Sequence, residues 1–464
     1  MLTILELADL LRRKSLSPIE LLEQQLERIE SLDPKINAFI TVMTEDAFAR
    51  ARRAETEIRE GNWRGPLHGI PIGLKDLIDT AGVKTTAASA RFKNRIPSED
   101  ATVVRRLKEA GAVLIGKQNL HEFAYGGSSI ISYYGEVHNP WNPEYIAGGS
   151  SGGSAASVAA KLGYGAIGTD TAGSIREPAA LCGIVGLKPT YGRVSASGVI
   201  PLSPSLDHVG PIARCVSDAA VILQAIAGFD SGDAASADMP TENYVATLEE
   251  KLEPLRIGIS RKFFYDELDP EIASAMKHAL SVLEKFAKEM REIGLDVPVD
   301  RTLQSAESYA YHADSINKNP ELYQPETLRR LKNGATITEQ AIVEQRQKLT
   351  RYRSEIVGVF EDVDVLVTPT TPVPAPAISE LKQNPDKLRE RELLLLRNTR
   401  PFNVWGLPAI SVPCGFTNAG LPIGMQIVGP HWQESRILQL AHIYEQATAW
   451  HKREPQTLAT DLRG

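Results

Sequence analysis

Three polar side chains of this sequence, Lys75, Ser150 and Ser174, lie in surroundings that could turn a serine into a nucleophile. A serine hydroxyl attacks a carbonyl carbon only when a base takes its proton, and a lysine can be that base if its amine is neutral. Burial lowers the pKa of a lysine, and a change from about 10.4 to about 7–8 costs roughly 3–5 kcal/mol. Ser150 could relay the proton from Ser174 to Lys75, because a hydroxyl both donates and accepts hydrogen bonds.

The residues just before Ser174 could stabilise the negative charge that develops on the attacked carbonyl oxygen. Backbone N–H groups aimed at this oxygen form an oxyanion hole, and a glycine leaves room for the carbonyl to approach. We therefore predict that Thr171, Ala172 and Gly173 form the oxyanion hole.

The elements around the two serines predict that both lie at one edge of a sheet. Ser150 lies in a Gly/Ser-rich loop, residues 148–154, and the alanine-rich residues 155–161 predict a helix. Residues 164–169 predict a buried strand, and Ser174 follows it, 174 − 150 = 24 positions after Ser150. In a parallel α/β sheet the helix begins at the carboxyl edge of the strands and the next strand returns there. We expect both serines at this edge, where such sheets hold their active sites.

Lys75 ends a predicted strand over residues 69–76. Because side chains alternate along a strand, Ile70, Ile72 and Leu74 share one face, whereas Lys75 lies on the other face among small residues. A long cation in that position indicates either a function or an ion pair with the neighbouring acid.

Helices and strands alternate along the chain, for example at residues 103–110 and 112–115. This alternation predicts an α/β fold with a central, mostly parallel mixed β-sheet flanked by α-helices on both faces. We predict a single domain over residues 1–464, with N-terminal helices in 1–60 and a helical, cap-like region at about 254–400 that contributes to substrate selection.

Composition narrows the class of protein. The 464 residues are 42% hydrophobic and 23% charged, with a net charge of −7, which gives no reason to expect binding to nucleic acid or to an anionic membrane. Three widely spaced cysteines exclude a disulfide framework and a metal site built on cysteine pairs. No apolar run is long enough to span a bilayer. We therefore expect a cytoplasmic protein.

The chain resembles the amidase signature family in a series of motifs that occur in order. They are the strand Gly-Ile-Pro-Ile-Gly-Leu-Lys-Asp, the loop Gly-Gly-Ser-Ser-Gly-Gly-Ser, Asp-Thr-x-Gly-Ser-Ile-Arg, Cys-Gly-Ile-Val-Gly-Leu-Lys-Pro-Thr and Ser-Leu-Asp-His-Val-Gly-Pro. The resemblance implies the Ser–cis-Ser–Lys triad, with Ser174 as nucleophile, Ser150 as the bridging serine after a cis peptide and Lys75 as base. It also implies an acyl-enzyme on Ser174, without metal or cofactor.

Two departures bear on the substrate. Ala172 replaces the first of two glycines that many relatives have before the nucleophile. In our alignment with the glutaminase subunits of tRNA-dependent amidotransferases, Thr350 stands at the position of an arginine, and the loop residues 418–420 lack an acid. We therefore expect a neutral, apolar amide as substrate, with anilides, esters and carbamates as further candidates. The expected partner is a small-molecule amide, with no nucleic acid or membrane, and a homodimer is an open alternative.

Other interpretations of the same residues remain open. The run Gly-Gly-Ser-Ser-Gly also fits the nucleophile elbow of α/β-hydrolases, which would make Ser150 the nucleophile and His208 a base. Lys75 could instead be paired with Asp76. We predict Tyr125 and Gly126 as substrate-binding residues, although core packing explains the tyrosine equally well. Besides an amide hydrolase, the chain could be a glutaminase component of a tRNA-dependent amidotransferase, or an inactive relative that serves as a binding module.

Overall fold

The computed structural model describes residues 2–455, so both ends of the predicted domain, 1–464, lie outside the described residues. The strands are β1 Phe39–Val42, β2 Pro71–Lys75, β3 Val113–Gln118, β4 His138–Asn139, β5 Asn142–Ile146, β6 Gly165–Asp170, β7 Val185–Lys188, β8 His208–Ala213, β9 Leu255–Ile259, β10 Ala287–Glu292, β11 Val365–Pro369, β12 Ala409–Phe416 and β13 Pro422–Val428.

The helices surround these strands. They are α1 Ile4–Arg12, α2 Pro18–Ile36, α3 Thr44–Arg59, α4 Thr102–Glu109, α5 Gly152–Ala159, α6 Arg176–Cys182, α7 Val216–Ile226, α8 Pro270–Leu283, α9 Thr302–Lys318, α10 Pro325–Lys332, α11 Glu339–Glu355, α12 Val359–Asp362, α13 Ile378–Gln383, α14 Pro385–Leu395, α15 Pro401–Val404 and α16 Glu434–Thr448.

A mixed sheet runs through the molecule in the order β1-β3-β2-β6-β8-β7-β12-β13-β11-β9-β10. The strands are parallel in two stretches, β3-β2-β6 and β11-β9-β10, and antiparallel between β6 and β11. The predicted α/β fold with a mixed sheet between helices is confirmed. The parallel stretch β3-β2-β6 is the part that carries the candidate site.

Both faces of the sheet are covered, because successive side chains of its central strands point to opposite sides. Leu114 and Ile167 pack in one apolar core with side chains of α1, α4, α7, α8 and α16. Val113, Ile115 and Ala166 pack in the opposite core with side chains of α2, α3, α5 and α6. The two cores fix the register of the strands, since a slip of one residue would expose both apolar sets.

Local signals in the sequence explain where several helices begin. Ser17 caps α2, Pro18 occupies its first turn, and Glu20 closes a capping box with Ser17, as the sequence predicts. Residues 254–400 contain α8 to α14, and they also contribute β9, β10 and β11 to the main sheet. This region is therefore continuous with the sheet that holds the candidate site.

The three cysteines, Cys182, Cys215 and Cys414, are free thiols and all are buried. Burial raises the pKa of each thiol above its ordinary value. The thiols are therefore held in the protonated, unreactive form.

Candidate active site

Lys75 is the last residue of β2, and its side chain is fully buried on the face opposite Ile72 and Leu74. The parallel register pairs Leu74 with Ile167, which places the lysine beside the end of β6. Its Nζ lies 2.7 Å from Ser150 Oγ and 2.8 Å from Thr169 Oγ1. The lysine thus contacts the serine that the sequence motif pairs with it.

The neighbouring acid does not neutralise Lys75. Asp76 points to the other side of the strand, where its Oδ1 lies 3.1 Å from Nζ of Lys117 and its Oδ2 accepts a hydrogen bond from the Thr86 amide. The alternative in which Lys75 pairs with Asp76 is therefore not what the structure shows.

Burial lowers the pKa of Lys75 to about 7, although the negative charges of Asp170 and Asp207 act in the opposite direction. An amine with this pKa is neutral in a large fraction of molecules at neutral pH. A neutral amine has a lone pair that can accept a proton, which is the property a general base needs.

Ser150 is held in a fixed loop just before α5. The peptide bond Gly149–Ser150 is cis. The Ser150 carbonyl accepts hydrogen bonds from the His121 amide at 3.2 Å and from Ser129 Oγ at 3.4 Å. Glu177 accepts the amide proton of Gly149 at 2.8 Å. These contacts fix the backbone on both sides of the serine hydroxyl.

Ser151 joins the Ser150 loop to the segment that carries Ser174. Its amide donates to the Ser174 carbonyl at 3.3 Å, and its hydroxyl donates to the Thr169 carbonyl at 3.1 Å. Ser174 itself is only 4% exposed. The order loop, helix, strand, loop therefore returns the chain to one edge of the sheet and brings the two predicted serines into adjacent segments.

Asp170, at the end of β6, organises the turn that contains Ser174. Its carboxylate accepts the amide protons of Gly173 at 2.7 Å and Ile175 at 3.2 Å, and it binds the Arg176 guanidinium through Nε and Nη2, both at 3.0 Å. Burial acts to raise the pKa of Asp170, but Arg176, Lys188 and the hydrogen bond from Asn403 hold it below its ordinary value. The turn is thus built around a buried carboxylate that stays ionised.

The predicted oxyanion hole needs one correction. The Gly173 N–H is engaged by Asp170 and is not directed to a substrate oxygen. Gly173 contributes its conformation instead, because its φ is +135° and a side chain would collide with Thr399 Oγ1. The N–H groups of Thr171 and Ala172 are not held by Asp170, so these two remain the predicted donors.

Tyr125 and Gly126 lie beside this turn. Tyr125 is buried, and its carbonyl accepts a hydrogen bond from Arg330 at 2.5 Å. A side chain at Gly126 would collide with the His121 ring. Their role in substrate binding stays a prediction.

His208 occupies β8, and its Nδ1 donates to the Leu206 carbonyl at 2.7 Å. Its nearest polar neighbours further include the Asp170 carbonyl at 3.2 Å. The imidazole therefore braces the end of β6 and makes no contact with Ser150, which does not favour the α/β-hydrolase interpretation.

Sequence reasoning missed two residues of this site. Thr169 contacts Lys75, and Glu177, which the sequence predicts as a solvated charge, is buried and holds Gly149. The signal for Thr169 is its place one residue before Asp170 on a strand that pairs with β2.

Two observations concern other classes of protein. Within residues 2–455, no group of three or more His, Cys, Asp or Glu side chains is arranged to hold a metal ion. In the same part of the chain, every helix is too short or too polar to cross a membrane.

Comparison with known proteins identifies the family. A protein-family model described as Amidase matches residues 20–438. The glutamyl-tRNA(Gln) amidotransferase of Geotalea daltonii contains a subunit that is 42% identical over 481 residues, which cover 97% of this chain and 98% of the relative.

Two solved structures share the fold over nearly their full lengths. A chain from a structure described as an unexpected vestigial protein complex that reveals the evolutionary origins of an s-triazine catabolic enzyme has a TM-score of 0.90 and 32% identity, covering 96% of this chain and 99% of that chain. The 6-aminohexanoate cyclic dimer hydrolase has a TM-score of 0.89 and 31% identity, covering 98% and 99%.

These relatives correct our prediction of partners. We predicted a small-molecule amide as partner and no nucleic acid. The Geotalea relative contradicts this, because its name makes it one subunit of an enzyme of glutamyl-tRNA(Gln). The prediction failed because net charge describes the whole surface, whereas a complex can recruit RNA through a different polypeptide. From the motifs, the geometry and the match over most of its length, the chain belongs to the amidase signature family of amide-hydrolysing enzymes.

Proposed function

We propose that this chain is the glutaminase component of a tRNA-dependent amidotransferase, and that it releases ammonia from glutamine through an acyl-enzyme on Ser174. The observation that carries the chemistry is the buried contact of Lys75 Nζ with Ser150 Oγ at 2.7 Å. The similarity to amidotransferase subunits over nearly the full length of both chains supports the choice of substrate.

The first half-reaction begins with neutral Lys75. Its amine takes the proton of the Ser150 hydroxyl while Ser150 takes the proton of Ser174, so that Ser174 Oγ can attack the amide carbon. The carbonyl oxygen becomes negatively charged, and the N–H groups of Thr171 and Ala172 stabilise it. The C–N bond then breaks, and the proton held on Lys75 returns through Ser150 to the departing nitrogen, which leaves as ammonia.

The second half-reaction repeats this sequence with water. Lys75 again accepts a proton through the relay, water adds to the ester carbon, and the bond to Ser174 Oγ breaks. The serine recovers its proton and the acyl group leaves as a carboxylic acid. The relay therefore acts as base and acid once in each half-reaction.

A specific observation favours a second candidate, the hydrolysis of another carboxylic amide. Thr350 and Asn418 carry no charge where we align the charged residues of the glutaminase subunits, and both are exposed, on α11 and in the turn between β12 and β13. A substrate with a different acyl group, or an anilide, an ester or a carbamate, would need the same relay.

Ser174→Ala tests the proposal. Loss of the nucleophile should reduce release of ammonia from glutamine by at least about 10³-fold, whereas Ser281→Ala, an exposed serine on α8, should leave the rate unchanged. A coupled assay for ammonia, with the chain alone and with the other subunits of the Geotalea daltonii enzyme, measures the effect. Hydrolysis of other amides but not of glutamine under both conditions would contradict the glutaminase and support the second candidate.

A further inference from the structure

A group of arginines surrounds Tyr125, on the side of the site that faces α14 and α15. The Arg389 guanidinium lies 5.4 Å from the centre of the Tyr125 ring, and Arg330 donates to the Tyr125 carbonyl. Arg400 donates through Nη2 to the carbonyl of Asp300, the residue before Arg301. The four cations thus come from four separate parts of the sequence and meet in one region of the molecule.

Two of these arginines have donors that no protein group uses. Arg400 is only 4% exposed, yet within the described residues its Nε and Nη1 have no hydrogen-bond partner. The same holds for Nη1 of Arg301, within the same part of the chain. A buried guanidinium with free N–H groups is costly unless an acceptor satisfies it. The arrangement therefore calls for an acceptor that the chain does not supply.

The carboxylates nearby are already engaged with other groups. Glu392 lies 2.7 Å from Arg330 and accepts a hydrogen bond from Ser128 at 2.6 Å. The Asp300 carboxylate accepts the Thr302 amide at 2.7 Å and the Gln345 side chain at 2.9 Å. Neither acid is therefore available to satisfy the free donors.

The pKa values of the two arginines agree with an excess of positive charge. Burial lowers the pKa of Arg400 to about 10, with Asp300 acting against this and Arg389 adding to it. Burial also lowers the pKa of Arg301, and the charges of Arg400 and Arg389 lower it further.

The free donors lie next to the candidate nucleophile turn. Arg400 follows Thr399, whose Oγ1 donates to the Ala172 carbonyl at 2.7 Å. On the other side, Gly127 packs against Leu396, and Leu396 also covers Gly173. Both walls of the arginine group are therefore in contact with the segment before Ser174.

We propose that Arg301 and Arg400, with Arg389 beside them, bind a carboxylate that the amide substrate carries at its end remote from the scissile bond. A guanidinium binds a carboxylate through charge-assisted N–H···O bonds, and the free N–H groups of Arg400 and Arg301 are donors of this kind. This proposal rests on the proposed amide hydrolysis and specifies its substrate class. It also replaces our expectation of a neutral, apolar substrate, because the cation absent at Thr350 is supplied from other positions.

Two substrates of the same size test the carboxylate site. Succinamate carries a carboxylate where butyramide carries a methyl group, and both present a primary amide. The wild-type chain should have a kcat/KM for succinamate at least about 100-fold above that for butyramide. Arg301→Gln and Arg400→Gln should each lower kcat/KM for succinamate by roughly 10- to 100-fold and leave butyramide within about threefold.

Control variants separate charge from structure. Arg391→Gln removes a cation from the same helix as Arg389, but Arg391 is half exposed and paired with Glu380, so both rates should stay at the wild-type level. Arg301→Lys should keep part of the preference because it keeps the charge. A wild-type chain without a preference for succinamate would overturn the proposal even if the two arginine variants did not fold.

The result can be separated from that for glutaminase activity. Calorimetric titration of Ser174→Ala with succinamate measures binding without turnover, and adding Arg301→Gln should weaken it by the same factor. If this holds and glutamine is not hydrolysed, the carboxylate site stands and the glutaminase fails. If glutamine is hydrolysed equally well by wild type and both arginine variants, the glutaminase stands and the carboxylate site is overturned.

Discussion

The buried amine of Lys75 is the residue on which the proposed chemistry depends. Its environment combines complete burial with two hydroxyl partners, Ser150 and Thr169, and no adjacent carboxylate in direct contact. This explains why the amine loses its proton near neutral pH, whereas an exposed lysine keeps its proton to about pH 10.

The rate of hydrolysis should depend on pH through this group. Because only neutral Lys75 accepts a proton and its pKa is about 7, kcat/KM should rise about tenfold per pH unit below 7 and level off above it. Steady-state assays between pH 5 and pH 9 measure the curve. A rate that first rises near pH 10, or one that is flat across this range, would show that another group is the base.

Gly173 offers a second test at the scale of one residue. Gly173→Ala places a side chain at a φ of +135° and against Thr399 Oγ1, so it should lower the free energy of unfolding by about 1–3 kcal/mol and reduce kcat as well. Gly294→Ala is the matched control, because no atom lies within 4 Å of the added Cβ. Chemical denaturation and the ammonia assay measure both effects. Equal stability of the two variants would show that the turn adapts.

At the scale of elements, the site depends on how β6 ends and α6 begins. Asp170 and Arg176 form a buried ion pair across this turn, and Arg176 also donates to the Thr399 carbonyl at 2.9 Å. The pair therefore connects the nucleophile turn to the segment that precedes α15.

Asp170→Asn should destabilise the protein strongly, because it leaves Arg176 as an uncompensated buried charge. We expect a loss of about 3–5 kcal/mol in the free energy of unfolding. Asp364→Asn breaks a partly exposed pair with Arg256 and should cost about 0–1 kcal/mol. Urea denaturation of both variants gives the comparison. A loss below about 1 kcal/mol for Asp170→Asn would mean that Arg176 finds another partner.

The sequence predicted those parts of the site that are set by local pattern. The period of two in β2 predicts the face of Lys75, and the order loop, helix, strand, loop predicts that Ser150 and Ser174 share an edge. The engagement of the Gly173 N–H by Asp170 was not predictable, because it depends on the exact path of one turn. Arg301 was missed for a different reason: no motif surrounds it, and its neighbours in space come from distant parts of the chain.

At the scale of the whole molecule, residues 254–400 are tied to the sheet through buried polar contacts. Glu122 precedes Tyr125 by three positions, and its carboxylate accepts the amide proton of Gln324, just before α10, at 2.9 Å. Burial raises the pKa of Glu122 to about 7, and hydrogen bonds from Ser89, Thr327 and the Gln324 amide lower it only in part.

This carboxyl group should make global stability depend on pH. Between about pH 4.5 and pH 7 the unfolded chain ionises while folded Glu122 keeps its proton, so stability falls as pH rises through this range and levels off above it. Glu122→Gln should remove this dependence and stabilise the protein at pH 8 by up to about 3 kcal/mol. The exposed Glu321→Gln is the control, with an expected change within about 0.5 kcal/mol. Denaturation at pH 5 and pH 8 checks both, and destabilisation of Glu122→Gln at pH 8 would contradict the prediction.

The buried cysteines have a practical consequence for experiments on this protein. Because Cys182, Cys215 and Cys414 are enclosed and protonated, maleimides and iodoacetamides should leave the native chain unlabelled. A single cysteine introduced on an exposed face would then be the sole point of dye attachment, without prior removal of the natural thiols. Fluorescence could report on substrate entry or on complex formation in an otherwise unaltered enzyme.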